Sequence, residues 1–134
     1  MNFDIDIDEP EHGWLPIRLT LHNEVIRFHA SDAINDPVQE LVDGVSTVEC
    51  GEPLQITWFF EPAVLELTAV PVGDSLQVNL HSAEDIQSET RELFGQVMVQ
   101  RESFLAVLKR NIERFKSFGV EHPHWPEVIY RPES

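Results

Sequence analysis

The chain has 134 residues, 42% hydrophobic and 25% charged, which suits one globular domain and excludes disordered, collagen-like and coiled-coil classes. Its 24 acidic residues against 9 basic ones give a net charge of −15, a field that repels nucleic-acid phosphates and anionic membranes, so neither is expected as a partner. A lone Cys50, an N-terminus without a basic leader or apolar run, and no apolar stretch long enough to span a bilayer lead to the expectation of a cytoplasmic protein, with one domain over 1–134.

Phe3, Ile5 and Ile7 alternate with Asp4, Asp6 and Asp8, so residues 1–13 read as an acidic edge strand or arm. On such a strand the three carboxylates would stand roughly 7 Å apart, which is wide for one cation, and they read as a solvated edge that discourages aggregation. Ile17, Leu19 and Leu21 alternate with Arg18, Thr20 and His22, and Val25 to Phe28 resumes the strand pattern, which predicts a hairpin turning near 22–24. Asp36-Pro37-Val38-Gln39 predicts a helix start, with Val38, Leu41, Val42 and Val45 on one face; Gly44 suggests that the helix stops near residue 45, and Gly51 and Pro53 bound it. Three strands follow around 54–61, 65–69 and 76–81, then a solvated loop over 82–92 and a short strand over 93–99. From Arg101 to Phe118 the apolar stripe Phe104, Leu105, Leu108, Ile112 and Phe115 marks the clearest helix, closed by Gly119, with residues 120–134 left as a tail. The fold expected is therefore α+β: one antiparallel sheet of about five to six strands (hairpin, helix, meander) packed with two helices, the longer one C-terminal.

The charge is unevenly placed. Residues 1–66 hold 14 acids and two bases, whereas the C-terminal helix carries five bases against Glu102 and Glu113, which reads as a solvated face complementing an acidic sheet.

His12, His22, His29, His81, His122 and His124 form no metal-binding spacing, so neither metal nor cofactor is expected, and no catalytic residue is assigned. Cys50 lies between acids that disfavour a thiolate. The candidate binding residues are Trp14, at the entry to a strand; Phe59, which faces away from Trp58 and Phe60 and becomes an exposed anchor unless a helix covers it; and His122, His124 and Trp125, dense in the tail, where Trp125 reads as a packing anchor.

The order His12-Gly13-Trp14, Ser31, Asp36-Pro37, Trp58 to Pro62 and Phe104 to Phe118 resembles small bacterial proteins of unknown function, some of which look like the immunity proteins or accessory factors of toxin systems. The resemblance implies no catalytic residues. The expected function is a non-enzymatic interaction domain that presents acidic surface to a basic protein partner, with homodimerisation as a further expectation. The alternative is a small-ligand-binding or catalytic domain whose histidine-lined pocket, with His22, His29 or His81, lies between the sheet and the C-terminal helix.

Overall fold

A computed structural model describes residues 2–10, 14–31, 36–60, 63–84 and 92–118. Seven strands and two helices follow in the order β1 (Phe3–Ile7), β2 (Trp14–Leu21), β3 (Glu24–Ser31), α1 (Pro37–Glu49), β4 (Leu54–Phe60), β5 (Ala63–Val72), β6 (Ser75–Ala83), β7 (Glu92–Gln100) and α2 (Arg101–Ser117). The fold is α+β and antiparallel as expected, but the strands form two sheets, β1-β2-β3 and β4-β5-β6-β7, rather than one of five or six strands. Alternation reports strands without reporting where a sheet stops. The break falls at α1, which carries the chain from β3 to β4.

Both hairpin turns among the described residues are two-residue loops. Leu21 pairs with Glu24 around His22-Asn23, and Val72 pairs with Ser75 around Gly73-Asp74. Such tight turns need a left-handed residue, supplied by Gly73 at φ +61° and, unusually for a side-chain-bearing residue, by His22 at φ +56°. His22 is held there at both ends: its N–H donates to the Asn2 carbonyl at 2.7 Å, and its Nε2–H donates to the Gln96 carbonyl on β7 at 2.8 Å.

Pro16 lies within β2, where a missing N–H would normally cost a ladder bond. Its carbonyl accepts from Asp8 N, so the side lacking a donor faces β1 just past that strand's end at Ile7, where little pairing is lost.

The inward residues of both sheets and of the two helices form a single core. Phe3 of β1 stacks on Phe104 of α2 at 5.2 Å between centroids, and Phe28 of β3 meets Trp58 and Phe60 of β4, each at 5.6 Å. Asp36 caps α1 by accepting from Val38 N and Gln39 N, with Pro37 in the first turn, as the sequence predicts. The helix nevertheless runs through Gly44 to Glu49 instead of stopping near residue 45. Gly44 is a contact point: a Cβ there would come within 3.2 Å of Leu54 Cδ1 and 3.5 Å of Leu108 Cδ1, so a small residue lets α1 lie close to β4 and α2. At Gly95 a Cβ would collide with Leu21 Cδ2, which marks where the end of β2 presses against β7. Residues 82–84 and 92 of the expected loop belong to or adjoin β6 and β7, and a bulge between Leu80 and His81 shifts the register so that Leu80 pairs with Gly95 and His81 with Leu93.

Candidate functional site

The site begins with β1. An edge strand leaves every second residue with its N–H and C=O unpaired on the outer side, and burying such groups without partners is costly. On β1 these belong to Ile5 and Ile7, and side chains satisfy them. Ile5 N donates to the Asp4 carboxylate, and Ile5 O accepts from Asn111 Nδ2 and Arg110 Nη2, each at 2.6 Å. Ile7 N donates to Asn111 Oδ1 at 3.0 Å, and Ile7 O accepts from Arg114 Nε at 2.7 Å. Asn111 is fully buried, and its second amide hydrogen goes to Val107 O, so α2 stands where another strand would pair.

Charge reinforces the docking. Arg110 bridges Asp4 at 2.5 Å and Asp6 at 3.2 Å, while Arg18 of β2 reaches Asp6 at 2.6 Å; Arg114 lies 3.9 Å from Asp8. The hydrogen bond to Asp6, followed by that carboxylate's charge, raises the Arg18 pKa above its ordinary value. The acidic strand and the basic helix face, separated by about a hundred residues in sequence, therefore neutralise one another.

On the outward face of β1-β2-β3 the register sets Asp6, Arg18 and Arg27 in one row, with Pro16 and His29 opposite each other in the next. These residues, with Asp8 and Arg114, line an open cleft of about 570 Å³. Every carboxylate in the cleft has a cation beside it, whereas Arg27 and His29 make no hydrogen bond or ion pair among the described residues. Such an arrangement can bind charge. As for metal, no group of three His, Cys, Asp or Glu side chains at coordinating distance occurs among the described residues.

Trp14 is the first residue of β2 rather than preceding it, lies 38% exposed on the outward face and pairs with Ser31 one row beyond Pro16 and His29, at the margin of the cleft. Phe59 is half-buried on the outward face of the four-stranded sheet, in register with Val64, and is neither a core residue like Trp58 nor an open anchor. His122, His124 and Trp125 lie outside the described residues. His22 sits on a turn, His29 in the cleft, and His81 on the outward face of β6, so these three do not converge between sheet and helix.

Sequence reasoning did not single out Asn111, Arg27 or Arg114, although two signals were present. Asn111 falls on the apolar stripe of α2, seven residues after Phe104 and four before Phe115, where a polar residue must have buried partners. A hairpin turning at His22-Asn23 places Arg18 directly opposite Arg27. No family model, curated protein or solved structure matches the chain.

Proposed function

We propose that this is a non-catalytic protein-interaction domain that binds a basic partner, the task a toxin-neutralising protein performs. The observation that carries this reading is where the cations go. Five of the seven described Lys and Arg residues (Arg18, Lys109, Arg110, Arg114 and Lys116) are engaged in ion pairs within the chain, which leaves the surplus of carboxylates to face solvent. The densest acidic run in the sequence, Asp4, Asp6 and Asp8, is occupied by arginines, so the negative surface open to a partner lies elsewhere. On helix α1 Glu49 is taken by Lys109 and Glu40 by Thr57 N, which leaves the exposed Asp43, with the exposed Glu52 just past the helix, free of a cation among the described residues. Charge of this kind speeds encounter and selects the sign of the partner, while contact area supplies affinity. Among the described residues no helix is long and apolar enough to cross a membrane.

The test is capture from native lysate by the wild type and by the double variant Asp43→Lys, Glu52→Lys, both checked for folding by circular dichroism. The reading requires a basic protein that the wild type retains at low salt, that the double variant loses, and that rebinds purified wild type with an association rate falling steeply as salt rises. Retention of the same partner by the double variant, or recovery of only acidic partners, refutes it.

A further inference from the structure

We infer that the cleft on the outward face of β1-β2-β3 is a binding site for a small oxyanion, with a phosphate group carried on a small molecule as the ligand class. Three observations converge on it. First, Arg18 and Arg27 stand directly opposite each other on β2 and β3, a like-charge cross-strand pair that disfavours the sheet unless something neutralises it. Asp6 answers Arg18 from the β1 side; nothing among the described residues answers Arg27. Second, among the described residues the cleft's carboxylates are paired while Arg27 is not. Asp6 accepts from Arg18 and Arg110, and Asp8 accepts from Glu9 N and lies beside Arg114, so the uncompensated groups are the Arg27 guanidinium and the His29 imidazole, two residues apart on one face of β3. In a chain of net charge −15, an arginine without an ion pair among the described residues, set opposite a second guanidinium, is a place that favours an anion. Third, the volume of about 570 Å³ falls in the range of small-molecule pockets and exceeds what a bare ion needs.

The donors also favour phosphate over a planar carboxylate. Arg18 and Arg27 line the cleft from neighbouring strands and Arg114 from the helix, and guanidinium groups carried on three elements suit an acceptor with three or four oxygens around a tetrahedral centre. Arg114 Nε is committed to Ile7 O and one Arg18 nitrogen to Asp6, which leaves Arg27 with all five donors and the central position in recognition. Pro16, in the lining, offers apolar surface for the uncharged part of the ligand.

The experiment is a backbone amide NMR titration of the full chain with inorganic phosphate, against sodium chloride at matched ionic strength, repeated with acetate and with phenyl phosphate. Saturable shifts confined to residues 17–18 and 27–29 with phosphate but not chloride, at least tenfold weaker in Arg27→Gln and unchanged in Lys109→Gln, are the expected result. Lys109 pairs with Glu49 outside the cleft, so its variant removes the same unit of charge without touching the site. Phenyl phosphate binding more tightly than phosphate would show that the cleft takes an organic group as well as the anion. Shifts that chloride reproduces, an equal loss in Lys109→Gln, or acetate binding as tightly as phosphate would overturn the assignment.

Discussion

Replacing Asn111 with alanine removes one acceptor and two donors from a position with no solvent access. Ile5 O keeps the Arg110 guanidinium and Val107 O keeps its helical N–H, so the truncation creates one orphan, the buried Ile7 N–H. An unsatisfied buried donor costs about 1–3 kcal/mol, and a void the size of an amide adds roughly another 1 kcal/mol, for an expected loss of about 2–4 kcal/mol. With an m-value of about 2 kcal/mol per molar urea, the unfolding midpoint should fall by about 1–2 M. Asn111→Leu separates the two contributions, because it fills the space and suits a helix yet still leaves Ile7 N without a partner. Asn111→Asp retains the bond to Ile7 N but sets carboxylate oxygens against the Ile5 and Val107 carbonyls, and should be at least as damaging as alanine. Urea unfolding followed by tryptophan fluorescence gives the stabilities, and hydrogen exchange at the Ile7 amide reports the bond directly. Wild-type stability in Asn111→Leu, together with unchanged protection of Ile7, would refute the view that this amide closes the edge of β1.

Three further outcomes follow from the same geometry. Asp36→Ala should lose about 1 kcal/mol by exposing the first N–H groups of α1, seen as a lower thermal midpoint by circular dichroism. Gly95→Ala should destabilise by about 1–3 kcal/mol because Leu21 must move, and adding Leu21→Ala should remove much of that penalty, a coupling that a double-mutant cycle measures. For Arg18, whose pKa is raised by Asp6, the favourable contribution is present below the unfolded value and is lost only as pH rises beyond the folded one. The stability difference between wild type and Arg18→Gln, from urea melts, should therefore stay constant from about pH 6 to about pH 10.

What was legible in the sequence is what short-range pattern encodes. The alternation at Phe3, Ile5 and Ile7, the turn at His22-Asn23, the Asp36-Pro37 cap and the stripe from Phe104 to Phe115 each depend on neighbours within a few residues, and each corresponds to an element in the structure. The division into two sheets does not, because it depends on which strand edges meet across α1. Gly44 shows the same limit: propensity argued for an early helix end, and close packing against Leu54 and Leu108 prevailed. The cleft was half legible, since the hairpin register alone opposes Arg18 to Arg27, but the arrival of Arg114 from α2 required the tertiary fold.

The two helices meet a common problem with different chemistry. Two separate sheets have their edges at β1, β3, β4 and β7, a long open edge invites pairing with another chain, and the helices meet two of these, β1 and β4. Helix α2 closes β1 with Asn111, Arg110 and Arg114, and α1 places the Glu40 carboxylate on Thr57 N of β4 at 2.9 Å. Each helix thus contributes an apolar stripe to the core and polar side chains to a strand edge. That division explains why the basic residues gather on α2: the outer side of β1 presents the Ile5 and Ile7 carbonyls together with the carboxylates Asp4, Asp6 and Asp8, and only donors, best of all cationic ones, satisfy both at once. The +3 helix of an acidic protein is therefore accounted for largely by its own first strand, so the basic face of α2 is turned to the chain itself.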